Sequence, residues 1–394
     1  MVIIMRINTE DKSMCCGCGA CVHICPQLAI TLICDEKGFS YPVIVDDKCI
    51  NCGKCVTVCN FRKKLDVSKA NKVYALRSNS KDVLQISSSG GAFTAFSDLI
   101  LELKGSVFGS ILGDDLRVYH KEAKTSLERN RMCGSKYVQS DLKMTFLQIR
   151  ELLQKNSFVL FSGTPCQVNN LYGFLEKVYD NLYTIDFICH GTPSPKLFLD
   201  HINMLKSKYH KDIVDYHFRD KKYGWSSTQT VLFKDKKKNA SITVQKNANL
   251  FYKNLSLRPS CYVCPYRNHK YSDITLGDFW GGDKLFNIYD NKGLSQVITH
   301  TSKGDYLLNQ LKTSYWLKEC SSEMFTKIKQ NQIIQPSETN KFWELYCDKG
   351  YEAVIKKYSK YSVKQIISFN LRKIVFKLHI QNIAFKIQAL IKKK

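Results

Sequence analysis

Cys15-Cys16-Gly17-Cys18-Gly19-Ala20-Cys21-Val22-His23-Ile24-Cys25-Pro26 decides how the first part of this chain folds, and its spacing returns at Cys49, Cys52, Cys55 and Cys59. A C-x2-C-x2-C-x3-C run is the ligand pattern of a 4Fe-4S protein, and two copies imply two clusters. Two-residue gaps let three thiolates curl around one cluster, and Gly17, Gly19 and Gly53 let the backbone turn tightly beside it. In this arrangement the fourth cysteine of each run ligates the other cluster. The expected sets are Cys15, Cys18, Cys21 and Cys59 for one cluster, and Cys49, Cys52, Cys55 and Cys25 for the second. Zinc would explain C-x2-C pairs but not the third and fourth cysteine of each run, nor their duplication. Cys16 and Cys34 fall outside the pattern and read as bystanders, and Asn60 stands where a proline is expected after Cys59.

A chain of 394 residues can bury a core without disulfide staples, so its 17 cysteines call for another explanation. The apolar stretch Met1 to Met5 is too short for a secretory signal core, and reduced thiols suit a cytoplasmic location. No uncharged apolar run reaches the length of a membrane span. The net charge of +24 is uneven: eleven lysines and arginines and no acidic residue follow Glu352.

Ala29 to Ile33 and Ser40 to Val45 flank Lys37-Gly38 and read as two strands joined by a turn. A small α+β ferredoxin-like domain is therefore expected over residues 1–62, with a polar linker over 63–72. Beyond it, apolar strands at Val73 to Leu76, Val107 to Leu112, Phe158 to Phe161, Leu182 to Ile188, Ile274 to Leu276 and Gln296 to Thr299 alternate with helical patterns. That alternation predicts a mixed α/β domain over 73–345, followed by a basic amphipathic tail over 346–394. Phe96, Leu99, Ile100 and Leu103 form one helical stripe; Leu142, Phe146, Ile149 and Leu153 form another, with Ser140 as its expected N-cap. Asp212 to Gln245 reads as an antiparallel excursion or a partner-facing insertion, and Lys234 to Lys238 as a solvated turn.

The large domain carries segments unlike ordinary core: Ser87-Ser88-Ser89-Gly90-Gly91, Gly134-Ser135-Lys136-Tyr137, Thr164-Pro165-Cys166 and Cys189-His190-Gly191. A further segment runs from Cys261 and Cys264 to Gly277-Asp278-Phe279-Trp280. In combination, over roughly residues 13 to 300, the sequence resembles the beta subunit family of coenzyme F420 hydrogenases and dehydrogenases, in versions with an N-terminal ferredoxin domain. The resemblance implies a bound flavin, usually FAD, beside a 4Fe-4S cluster. It also implies electron exchange with a deazaflavin, a ferredoxin or an electron-accepting enzyme, and in anaerobic bacteria an association with surface-polysaccharide synthesis.

The residues themselves support a third metal site. Thr164 can cap and Pro165 can begin a helix that places Cys166 at its N-terminus, where amides favour thiolate. Cys189 ends another strand, and Cys261 with Cys264 completes four candidate ligands for a third 4Fe-4S cluster. For FAD, Ser87, Ser88, Ser89, Gly90 and Gly91 precede a helix whose positive end can receive a pyrophosphate. Ser135, Lys136 and Tyr137 would add a turn, a cation and an aromatic surface. Asp278 and Trp280 fit either a lined pocket or a turn with a packed indole. No catalytic residue is assigned; His190 can carry a proton but equally suits a structural role.

The leading expectation is an iron-sulfur flavoprotein oxidoreductase of the cytoplasm. The alternatives are a non-enzymatic electron-transfer adaptor and a zinc-stabilised nucleic-acid binder, the latter disfavoured because the charge sits in the tail without a nucleic-acid motif. Phe376, Ile380, Ile383, Ile387 and Ile391 recur at helical spacing among lysines. Contact with the inner face of a membrane, docking on the protein's own core and binding a partner subunit all fit that pattern.

Overall fold

Short β-rich runs separated by amphipathic helices leave two sheet faces to cover, and the chain answers with one large sheet and two small ones. The computed structural model describes residues 6–63, 72–234, 240–244, 246–267, 270–311, 315–321, 333–378 and 380. Most of the expected linker, the Lys234 to Lys238 turn beyond residue 234 and the tail from 381 lie outside the described residues.

Strands β1 (Ile30–Cys34) and β2 (Ser40–Ile44) form the hairpin of the N-terminal domain, with the single-turn helices Ala20–His23 and Lys54–Thr57 inside the two cysteine runs, each ahead of the fourth cysteine. The large sheet takes β3 (Lys72–Ser78), β4 (Ser106–Leu112), β5 (Val118–Ala123), β6 (Val159–Ser162) and β7 (Leu182–Phe187). Its remaining strands are β11 (Ile274–Asp278), β12 (Ser295–Thr299) and β13 (Tyr315–Cys320), in the order β13-β3-β12-β11-β7-β6-β4-β5. Its centre is parallel, β11 with β7, β7 with β6 and β6 with β4, and its flanks are antiparallel. The expected mixed α/β class is observed. Within the expected excursion, the described strands β8 (Ile213–His217), β9 (Gln229–Phe233) and β10 (Ala240–Val244) form an antiparallel sheet.

Helix Ala92–Glu102 buries Phe96 and Ile100 against the sheet with Leu76, Val107 and Leu160. Helix Thr145–Gln154 buries Phe146, Ile149 and Leu153 on the opposite side with Phe161 and Phe174. Ser140 does not cap it. The Ser140 hydroxyl is 2.7 Å from Nδ1 of buried His120, whose Nε2 donates to the Ser162 carbonyl at 3.0 Å, and the helix begins after Met144 instead.

The two domains share core. Ala20 and Val58 pack with Leu171 and Phe174, and Phe39 and Tyr41 pack with Leu197, Trp343 and Tyr346. His23 Nε2 reaches the Lys143 carbonyl at 2.7 Å, and Asn60 Nδ2 donates to the Asn169 carbonyl at 2.8 Å. The helical segment Thr339–Tyr358, kinked at Gly350, crosses the expected boundary at residue 345 and packs in this shared core. Helix Val363–Lys377 rests on the residue 221–225 turn: Arg372 Nε donates to the Tyr223 carbonyl at 2.6 Å, and Phe369 and Phe376 meet the Tyr223 ring. Its Val363, Ile367, Leu371 and Ile374 stay exposed. No helix of the described residues is long and apolar enough to cross a membrane.

Candidate iron-sulfur and cofactor sites

Three small cavities are each ringed by four of the singled-out cysteines. The first is lined by Cys15, Cys18, Cys21 and Cys59. The second is lined by Cys25, Cys49, Cys52 and Cys55. The fourth cysteine of each run therefore does cross to the other cavity, because the single-turn helix after each glycine turn carries it away from its neighbours. Among the described residues no three or more His, Cys, Asp or Glu converge on a single metal ion; the thiols ring the cavities instead.

The third cavity is lined by Cys166, Cys189, Cys261 and Cys264. Sheet topology brings the first two together: β6 and β7 are adjacent and parallel, so their C-terminal ends open on the same edge. Thr164 caps helix Pro165–Leu175 with a full capping box, as its sequence predicts, and Cys166 lies in the first turn. The four-residue helix Pro259–Tyr262 then delivers Cys261, and the turn after it delivers Cys264. The helix end does not win over burial here. Contact with Cys16 and then burial push the Cys166 thiol up, and burial pushes Cys264 up to about 12 and raises Cys189 and Cys261. Such a cage keeps its protons until a metal cation replaces them.

Cys16 is not a bystander. It is buried, lines both the first and the third cavity, and its sulfur accepts from Asn170 Nδ2 at 3.5 Å. Only its place one residue after a ligand hinted at this. Phe61 and Tyr266 close the same boundary, and Asn169 Nδ2 holds the Tyr266 hydroxyl at 3.1 Å. Cys34 is exposed on the hairpin and lines none of the three cavities.

The segments singled out for FAD also meet. Ser88 Oγ accepts from the Ser135 amide at 2.7 Å and donates to Ser135 Oγ at 3.0 Å, tying the first two together. Ser89 Oγ donates to the Leu294 carbonyl at 2.6 Å, and the Gly90 amide donates to Ser295 Oγ at 2.9 Å. A Cβ on Gly90 would lie 2.4 Å from the Leu76 carbonyl oxygen, so only glycine fits between β3 and β12. These hydroxyls thus build the loop, and the free donors are elsewhere. Gly91 starts helix Ala92–Glu102 without a side-chain cap, leaving first-turn amides uncapped by any side chain.

Lys136 departs from its expected role. Its three N–H groups lie 3.0, 2.8 and 3.0 Å from the carbonyls of Arg131, Met132 and Cys133, closing a helix end, and burial lowers its pKa to about 8. The cations near the loop come instead from the residue 219–221 turn. Lys221 Nζ donates to the carbonyls of Leu84 and Ser89 at 2.6 and 2.7 Å, and burial lowers its pKa to about 7. Arg219 Nη1 pairs with Asp278 Oδ2 at 2.6 Å, while its buried Nη2 has no partner among the described residues. Trp280 stacks on Trp225 with ring centres 4.3 Å apart and stays 61% exposed, so the indole is both packed and presented. Tyr137 packs 4.7 Å from Phe251, which in turn meets His190 at 5.0 Å, linking this region to the Cys189 loop. His190 Nε2 donates to Asn254 Oδ1 at 2.6 Å, and burial lowers its pKa, which suits the structural reading. An uncapped helix start and an unpaired guanidinium N–H fit an anionic cofactor.

Two family models match parts of the chain. Residues 14–63 match a 4Fe-4S dicluster domain, and residues 157–324 match the family described as the C terminus of the coenzyme F420 hydrogenase/dehydrogenase beta subunit. A coenzyme F420-dependent sulfite reductase of Methanocaldococcus jannaschii is 23% identical over 370 residues, covering 88% of this chain and 54% of the relative. The chain thus spans about half the length of that relative. An uncharacterized protein of the same organism is 24% identical over 343 residues, covering 76% of this chain and 87% of that one. A chain of the F420-reducing [NiFe] hydrogenase complex from Methanosarcina barkeri overlays with a TM-score of 0.45 at 17% identity, covering 75% of this chain and 94% of that chain.

Proposed function

We propose that this iron-sulfur redox protein, which belongs through residues 157–324 to the coenzyme F420 hydrogenase/dehydrogenase beta subunit family, is a flavin-dependent oxidoreductase serving a hydride carrier such as a deazaflavin. The observation that carries the reading is the set of three four-cysteine cavities, two of them sharing Cys16, with the candidate FAD segments linked to the third through Tyr137, Phe251 and His190. Bound 4Fe-4S clusters carry single electrons, and a bound flavin exchanges them with a two-electron hydride carrier.

The chain's own residues have distinct tasks in this proposal. Cys15, Cys18, Cys21 and Cys59 hold the middle cluster; Cys25, Cys49, Cys52 and Cys55 the outer one; Cys166, Cys189, Cys261 and Cys264 the inner one. Phe61 and Tyr266 keep water out between the middle and inner cages. Lys221 fixes the Ser87 to Gly91 loop, the start of helix Ala92–Glu102 and Arg219 receive the FAD phosphates, and Asp278 orients Arg219. Trp280 offers an exposed aromatic face to the ring system or its hydride donor. Leu28, Ile33, Val43 and Ile50 form an exposed apolar collar on the hairpin and beside Cys49, where an external one-electron carrier such as a ferredoxin can dock. The exposed apolar side of helix Val363–Lys377, with the lysines around it, suits peripheral contact with the inner face of a cytoplasmic membrane. The association with surface-polysaccharide synthesis enters only through the sequence resemblance.

The test is anoxic purification, a count of iron and sulfide, and identification of the chromophore released on denaturation. About twelve irons with FAD, bleached on adding reduced F420, is the expected result. About eight irons without flavin would instead favour the non-enzymatic electron-transfer adaptor.

A further inference from the structure

Arg258 is the largest fully buried side chain, 1% exposed, and it lies where the middle and inner cages meet. Its Nε donates to the Cys15 carbonyl at 2.7 Å, and its Nη1 to Gln139 Oε1 at 3.0 Å. Nη2 donates to the Ser40 carbonyl at 2.9 Å and reaches the Cys15 sulfur at 3.7 Å. The guanidinium also lies over the Tyr41 ring, 4.3 Å from its centre. None of these partners is a carboxylate. A buried cation without a counter-charge is costly, and neutral carbonyls offset that cost only in part.

The fold nonetheless goes to some length to keep it there. Gly17 has φ +72, and a Cβ on it would lie 2.8 Å from Arg258 Nη1 and 2.8 Å from Gln139 Nε2. This glycine, expected to serve the cluster alone, also makes room for the guanidinium. Arg258 directly precedes helix Pro259–Tyr262, which carries Cys261, and lines the cavity of Cys166, Cys189, Cys261 and Cys264.

We propose that Arg258 is the fixed counter-charge of the middle cage and a positioning residue that raises the reduction potential of the cluster held by Cys15, Cys18, Cys21 and Cys59. The inference rests on the cluster assignment above. A cluster bound by four thiolates is anionic and gains one negative charge on reduction, so an immobile cation in a dry site stabilises the reduced form more than the oxidised one. The hydrogen bond to the Cys15 sulfur acts in the same direction.

EPR-monitored redox titration of wild type, Arg258→Gln and Arg258→Lys, each with iron counted, tests this. At a fixed potential, Arg258→Gln is expected to lower the reduced-to-oxidised ratio of one couple by about tenfold or more, which is about 59 mV for a one-electron couple. Arg258→Lys, which keeps the charge, should shift it less than about threefold, and the couple of the outer cluster, whose cavity Arg258 does not line, should stay in place. If Arg258→Gln loses iron, Gln139→Glu supplies the second arm: it leaves the guanidinium in place, sets a carboxylate against Nη1 and should lower the same couple. Unmoved couples in iron-replete variants, equal shifts with Gln and Lys, or loss of iron from both neutralising variants would overturn the assignment to potential. A wild type without iron would instead overturn the cluster reading itself.

Discussion

The outer cage and the inner cage each gather four thiols, by opposite means. Cys25, Cys49, Cys52 and Cys55 come from two short runs on one small hairpin domain, and Cys52 is exposed. Cys166, Cys189, Cys261 and Cys264 come from three segments spread over nearly a hundred residues, and none of them is exposed. Local chain geometry suffices to build a cage at the surface, where backbone and solvent satisfy what the thiols do not. A cage inside the molecule needs a sheet to aim its ligands and a shell of Phe61, Tyr266 and Arg258 to keep it dry.

The contrast breaks first at the ligands. Cys261→Ala should remove about four irons of about twelve and leave the flavin reducible by a hydride donor while reduction of the two N-terminal clusters stops; iron analysis with stopped-flow spectra checks this. Cys52→Ala should also remove about four irons but leave the inner couple in place, abolishing transfer to an external carrier only. Equal loss of flavin-to-cluster transfer in both variants would erase the distinction between an inner and an outer end.

A smaller effect sharpens the flavin side. Arg219→Gln removes a charged donor whose Nη2 is buried and unpaired, and should weaken FAD binding by about tenfold or more, on the order of 1.5–3 kcal/mol, with iron content unchanged. Equilibrium dialysis of the flavin reads it out. Unaltered affinity would move the phosphates away from this turn.

The smallest effect concerns acid. His201 is buried between the hydroxyls of Tyr351 and Tyr216, at 3.0 and 3.4 Å, and burial lowers its pKa to about 3. Its unfolded form takes up a proton below the ordinary value near 6.5, while the folded form does not, so stability falls as pH drops through 6.5 toward 3. Between pH 6.5 and 5.5 His201 alone should cost about 1 kcal/mol, the share of the slope that His201→Gln removes in denaturant titrations, while buried His120 and His300, both lowered to about 4, keep theirs.

Much of this molecule was legible along the chain. The crossing of Cys25 and Cys59 to the opposite cavities followed from spacing, because two-residue gaps leave the fourth thiol facing away. Thr164 and Pro165 announced the helix of Cys166, since a cap and a preset φ act locally. Ser140 misled because its hydroxyl serves His120 from another strand, and Lys136 misled because a helix end close by takes all its donors. Cys16, Arg219 and Arg258 carried no pattern at all; their importance lies in what surrounds them.

What the sequence by itself determined is the grouping of twelve thiols and the mixed α/β alternation of the large domain. Only the tertiary structure decided the order of the cages, the burial of one and exposure of another, and the buried cation between two of them. Ligand type and local turns are fixed within a few residues, whereas distance, dryness and uncompensated charge exist only once parallel strands bring remote segments to the same edge.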